Sequence, residues 1–260
     1  MNRRLALNLA TLYPASFERK LHAAEAAGFR AVGLLSSEMA RGGAAAITEL
    51  RLSELAVAEI VGVSGWADLD LARRSLALAQ AERAFDLAAL VQASLVVASP
   101  PQAGTESALC AHRFRELCDL ALPYRARVGL EFSGSAESVR DVATAWEVVD
   151  MAGAANGGLV IDLFHFYKGG SRAEMLEPVP GHRLFLVQLC DCPEMPGYEL
   201  ENRHRVYPGE GAIPLQPLLA RLSEKGYDGY LSLELFNEQY WAADPLVVAK
   251  DAMRSLRRLI

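Results

Sequence analysis

At 260 residues, with 52% hydrophobic and 22% charged side chains, the chain is too apolar for disorder and long enough to bury one large core. A net charge of -6 and no clustered Lys/Arg face argue against nucleic acid as the partner, because binding a phosphate backbone rests on many cationic contacts. No apolar stretch approaches the roughly 20 residues of a membrane span, and the opening MNRRLALNLATLYP is interrupted too soon for a secretory signal, so a cytoplasmic protein with a small-molecule partner is expected.

In chain order, short β-rich apolar runs alternate with longer Ala/Leu-rich segments of helical period. The strands are expected at Leu5 to Thr11, Ala31 to Leu35, Glu59 to Val63, Leu95 to Ala98, Arg127 to Glu131, Gly158 to Asp162, Leu184 to Gln188 and Tyr230 to Glu234. Helices are expected over Ser16 to Ala27, Leu71 to Gln92, Ser107 to Leu122, Ser138 to Ala152, Pro214 to Lys225 and Asp244 to Leu259, with another near Ala44 to Ala58, after Gly42 and Gly43. Eight βα units in one chain of this length predict an α/β fold, a (β/α)8 TIM barrel, as a single domain over residues 1–260. The competing open sheet would want a glycine-rich phosphate loop after the first strand, where this chain reads TLYPAS.

The four cysteines, Cys110, Cys118, Cys190 and Cys192, lack disulfide-framework spacing, and C-x-C at 190–192 is not the C-x-x-C of a zinc site. The catalytic face of such a barrel lies at the carboxyl ends of its strands. There, four consecutive runs end in an oxygen donor: VGLE at Glu131, LVID at Asp162, LFLVQ at Gln188 and YLSLE at Glu234. A lone acid at a strand end is usually a cap or a salt-bridge partner, but four in succession predict an all-oxygen cage for a divalent metal, Mg²⁺, Mn²⁺ or Co²⁺ with Zn²⁺ as another occupant. Asp191, three residues beyond Gln188, could take its place.

His165, in IDLFHFYKGG, is placed to lie over the cage and move a proton, while His22 and His182 are read as structural. The segment DCPEMPGYELENRHRVYPGEGAIP is too long for a mere connection. Its Arg203, His204 and Arg205 offer donors to an anionic substrate group. Phe236, Tyr240 and Trp241 could line the pocket or a contact in a homo-oligomer.

Together, LEFSG, IDLFHF, LVQLCD, RHRVYPGEG and GYDGYLSLELFNEQYW resemble the xylose-isomerase-like barrel superfamily, and within it bacterial 3-dehydroshikimate dehydratases. KLHAAEAAGFRAVGLL is similar to the same family's first helix and second strand. The resemblance implies Glu131, Asp162, Gln188 and Glu234 as metal ligands, with His165 and Arg205 near the substrate. It implies loss of water from 3-dehydroshikimate to give protocatechuate, or, on the same metal site, isomerisation or epimerisation of a sugar or sugar acid with Glu131 and Glu234 exchanging a proton. The partner in either case is a small polyhydroxylated or keto-acid substrate, with Phe236 among the residues near it. Two positions depart from the family pattern: Gly33 stands where a strand-two glutamate is usual, and VGVSGWADLD lacks the usual arginine after strand three. The superfamily's endonuclease branch would need a histidine-rich site, and this chain has five histidines. A catalytically silent ligand-binding barrel is the non-enzymatic alternative.

Overall fold

The computed structural model describes residues 4–101 and 104–260. Eight parallel strands close into a barrel in sequence order: β1 (Arg4–Asn8), β2 (Ala31–Leu35), β3 (Ala56–Val63), β4 (Leu95–Ala98), β5 (Arg127–Glu131), β6 (Gly157–Asp162), β7 (Leu184–Leu189) and β8 (Tyr230–Leu233). Around them run α1 (Phe17–Ala27), α2 (Ser36–Leu52), α3 (Leu71–Leu90), α4 (Ser107–Ala121), α5 (Val142–Ala152), α6 (Leu163–Lys168), α7 (Leu215–Glu224), α8 (Glu238–Trp241) and α9 (Pro245–Leu259). The expected α/β barrel is therefore the fold. No helix among the described residues is long and apolar enough to cross a membrane.

Several boundaries differ from expectation, α5 for instance starting at Val142 rather than Ser138, and three differences have a clear local reason. β1 stops at Asn8, whose Oδ1 accepts from Ala10 N at 3.0 Å and caps a 3-10 turn over Leu9–Leu12. α2 runs over Ser36–Leu52 rather than Ala44 to Ala58, because Gly43 absorbs a non-helical kink at φ 52° while helix continues on both sides. Residues 56–58 then belong to β3, pairing Ala56 with Ala31 and Val57 with Val32. Third, Asp162 starts a short helix at once: its Oδ1 accepts from His165 N at 2.9 Å, capping α6.

The two-residue period of the strands sorts side chains between the barrel interior and the sheet's outer face. The floor of the interior is apolar, with Val61, Leu95, Val97, Val160, Phe185, Leu186 and Tyr230 forming a cluster apart from the core between sheet and helices. Phe185 joins it where the β6–β7 register shifts between Leu159 and Val160. Full burial of each such side chain contributes about 1.5–3 kcal/mol.

Toward the carboxyl ends lie Glu131, Asp162, Gln188 and Glu234, with Asn8, Glu59 and Ser232 tied to this group by hydrogen bonds. The barrel closes where β1 pairs with β8. Beyond that seam Leu235 N donates to Thr11 Oγ1 at 3.0 Å, and Trp241 Nε1 donates to Ala10 O at 3.0 Å.

Candidate metal centre

Asp162, Gln188 and Glu234 are buried at the barrel mouth, and the Glu131 side chain is 12% exposed. Register explains the convergence: Asp162 lies opposite Gln188 across β6 and β7, Glu131 lies opposite Val160 across β5 and β6, and Glu234 follows the last residue of β8. Ligand atoms of Glu131, Asp162 and His165 all lie within 4.8 Å of one another.

Gln188 orients its amide against two carboxylates. Nε2 donates to Glu59 Oε2 at 3.1 Å and to Glu234 Oε1 at 3.3 Å, while Oε1 is buried with no partner among the described residues. A buried carbonyl oxygen without a donor carries a desolvation cost that a cation would relieve. Together with the neighbouring carboxylates, that oxygen makes the donor set fit a divalent ion.

The charges behave as a crowded buried group should. Burial, then the nearby Asp162 charge, pushes the Glu131 carboxyl up to about 8. Burial raises Glu234 well above the ordinary carboxylate range, against the pull of Arg205. Burial also acts to raise Asp162, but Arg205 and His165 outweigh it and hold this carboxyl below its usual value. Asp162 is thus the acid that stays ionised.

Arg205 is where the structure departs most from the sequence expectation. Its guanidinium is 1% exposed and turned onto the carboxylates, with Nη1 2.7 Å from Asp162 Oδ2 and 3.5 Å from Glu234 Oε2. Phe164 and Phe236 lie 4.6 Å and 5.3 Å from the guanidinium carbon, so Phe236 enters the site as a wall for this cation. Burial lowers the arginine's pKa, but Asp162 more than restores it and the cation is permanent.

Arg203 does not join the site: its side chain is 61% exposed and pairs with Glu201. His204 is likewise local, its Nδ1 accepting from Glu201 N at 3.1 Å in a 3-10 turn. Asp191 is no substitute for Gln188. Its Oδ1 accepts from Cys192 N and Ile213 N, both at 2.9 Å, and its Oδ2 accepts from Gly209 N at 3.0 Å, so both oxygens staple the long loop to β7. Gly211 lies so close to Cys192 O that a Cβ there would collide with it. The staple and an antiparallel bridge between Asp191 and Val206 bring Arg205 back over the mouth. All four cysteines are buried and free.

His165 sits on the first turn of α6 with Nε2 4.0 Å from Glu131 Oε1 and Nδ1 buried without a partner among the described residues. Burial brings its pKa down to about 4, so the ring is neutral at neutral pH and able to accept a proton. The histidine is thus beside the carboxylates, as its position after β6 predicts.

Sequence reasoning missed Glu59, Asn8 and Ser232. Glu59 is fully buried in mid-strand; its Oε1 accepts from Ser232 Oγ at 2.7 Å and from Asn8 Nδ2 at 3.1 Å. Burial raises its carboxyl to about 7. Asn8 Nδ2 also donates to Glu234 Oε1 at 2.8 Å. The available signal was a charged residue inside the apolar run AVAEIVGV, where a half-exposed strand would place it on the wet face but a barrel strand has none. At the third strand's end, Arg74 Nε donates to Trp66 O, and Arg113 Nη1 donates to Ala67 O and Asp68 O. Both guanidiniums are engaged in holding that turn.

A protein-family profile described as "Xylose isomerase-like TIM barrel" matches residues 21–259. A 3-dehydroshikimate dehydratase of Pseudomonas aeruginosa is 33% identical over 245 residues, 91% of this chain and 39% of the relative. An inosose isomerase of Halalkalibacterium halodurans is 38% identical over 146 residues, 55% of this chain and 52% of the relative. The matches therefore span about half or less of these relatives' own lengths. Among solved structures, the IolI protein with a zinc atom superposes with a TM-score of 0.91 at 23% identity, covering 98% of this chain and 97% of that one, a likeness of fold.

Proposed function

The chain belongs to the xylose isomerase-like TIM barrel family, and from that premise we propose that residues 1–260 form a divalent-metal-dependent lyase resembling 3-dehydroshikimate dehydratase. The observation that carries this reading is Gln188: an amide on the seventh strand whose buried oxygen lacks a partner among the described residues and whose nitrogen faces the carboxylates of Glu59 and Glu234. It is the strand-seven ligand type expected of the dehydratases that the sequence resembles, and the dehydratase match runs along 91% of the chain.

Glu131, Asp162, Gln188 and Glu234 would hold the metal, which supplies Lewis-acid stabilisation of the negative charge that develops on a ketone oxygen. The protein's own groups do the rest. His165, neutral at neutral pH, takes the proton from the carbon beside the ketone at Nε2, next to Glu131. The neighbouring C–O bond then breaks, and the hydroxyl leaves as water on receiving a proton from the imidazolium. One C–H and one C–O bond are lost, one water is released, and tautomerisation gives the aromatic ring. Arg205, bound to Asp162, keeps that carboxylate ionised and fixed.

A second reading, an isomerase or epimerase of a neutral inosose-type polyol, is favoured by the third-strand end. Arg74 and Arg113 are spent there on backbone oxygens, where an anionic substrate would call for a free cation. Incubating Mn²⁺-loaded protein with 3-dehydroshikimate and following the ultraviolet spectrum separates the two. Growth of the protocatechuate band is expected. A flat spectrum, with interconversion or solvent-deuterium uptake in an inosose, would transfer the assignment to the isomerase.

A further inference from the structure

Glu59 is the most buried acid of the mouth that the proposed chemistry does not use. It cannot reach solvent, being 0% exposed, and it sits on β3, away from the strands that supply the ligands. Gly33 on β2 makes room for it: a Cβ at 33 would collide with Glu59 Oε1 and crowd Asn8 Nδ2. The barrel thus gives up a side chain on one strand to seat a carboxylate from the next.

Its hydrogen bonds have a direction. Ser232 Oγ and Asn8 Nδ2 both donate to Oε1, fixing the carboxylate plane, and this leaves Oε2 to accept from Gln188 Nε2. An amide can present either its oxygen or its nitrogen to a neighbour, and only the surrounding network decides which. With Glu59 and Glu234 both facing Nε2, the flipped amide would set its oxygen against two carboxylates. The carbonyl oxygen is therefore turned away from these two carboxylates and left without a donor among the described residues.

We propose that Glu59 is a positioning residue that selects the amide orientation of Gln188 and so presents Gln188 Oε1 to a divalent cation. This rests on the metal reading above and assigns the cage a support that no ligand motif contains. Groups that orient metal ligands in this way typically change metal affinity by about 10–100-fold when removed.

Glu59→Gln tests the idea with little change in volume. Ser232 and Asn8 would draw the new carbonyl oxygen toward themselves, so its NH₂ would face the NH₂ of Gln188 and favour the flipped amide. The expected result is about a tenfold loss of Mn²⁺ affinity, with the visible spectrum of the Co²⁺-loaded variant shifting toward that of Gln188→Ala. In the Gln188→Ala background, Glu59→Gln should change affinity less than twofold, because its route to the metal is gone.

An unchanged affinity in Glu59→Gln, or a full additional loss in the Gln188→Ala background, would overturn the proposal while leaving the metal site standing. Wild-type protein that binds neither Mn²⁺ nor Co²⁺ would overturn both. Should Glu59→Gln lose its near-ultraviolet circular dichroism, the same cycle with Ser232→Ala decides the matter. That variant loosens the carboxylate without changing its charge and should cost a few-fold in affinity only when Gln188 is present.

Discussion

The two halves of the barrel mouth are made of different material. β5 and β6 end in Glu131 and Asp162, β7 carries Gln188 one residue before its end and β8 runs directly into Glu234, whereas β2 to β4 end in Leu35, Val63 and Ala98. The first half contributes only from below and behind, through Asn8 and Glu59, which hydrogen-bond to Glu234 and Gln188. One half carries the groups that would touch a metal or substrate; the other supplies packing and orientation. Chemistry therefore depends on the first set directly and on the second through geometry.

The sharpest break in that contrast is Asp162→Ala. It strands the buried Arg205 cation and removes the cap of α6, so a loss of about 3–5 kcal/mol in denaturant unfolding is expected, along with loss of metal-dependent turnover. Retained turnover would mean that the chemical half has been misassigned.

A change of pH should tell the carboxylates from the histidine. Folded Glu59 and Glu131 keep their protons to about 7 and about 8, and Glu234 holds its proton well above the ordinary range, whereas unfolded carboxyls titrate near 4.5. The folded state thus binds more protons in that window, and this stability is lost as pH rises through about 7 to 8. His165, brought down to about 4 from 6.5, works the other way and adds stability as pH rises across that lower range. Above about pH 6.5 only the carboxylates remain in play. The melting temperature of metal-free protein should fall between pH 6.5 and about 8.5. Saturating Mn²⁺, which needs the carboxylates ionised, should widen the gap between loaded and metal-free melting curves over the same interval. Parallel curves would contradict the cage.

On the supporting side, Gly33→Ala forces Glu59 aside and should cost about 1–3 kcal/mol as overpacking. Most of that should return in the Glu59→Ala background, and a double-mutant cycle by thermal melts would show whether it does. The smallest effect belongs to Arg203→Ala, exposed and paired with Glu201, at within about 0.5 kcal/mol and with no change in kcat/KM.

Much of this was legible in the sequence because the signals are local. A short β-rich apolar run marks a strand, so β2, β4 and β5 fall at the boundaries expected, and an oxygen donor near the end of a run marks the rim, where Asp162, Gln188 and Glu234 are buried and Glu131 is nearly so. What was hidden depends on distant pairing. Assigning Ala56–Ala58 to a helix made Glu59 look like a strand's first residue, although pairing with β2 puts it in mid-strand, inside the barrel. Arg205 looked like a free substrate donor because the Asp191 staple, which folds the loop back onto Asp162, joins positions as far apart as Asp191 and Ile213. No local pattern announces such a return.

The closing seam has a consequence for the order in which the molecule is made. Asn8 and Glu234 bond across it, so within this barrel the first strand made waits for the eighth before the mouth can be completed. Until β8 emerges from the ribosome, β1 and β7 present bare edges and the carboxylates of β5 and β6 lack their final neighbour. A nascent chain halted before Tyr230 should therefore be both inert and prone to associate, and the site comes into being as one of the last events in the assembly of this barrel.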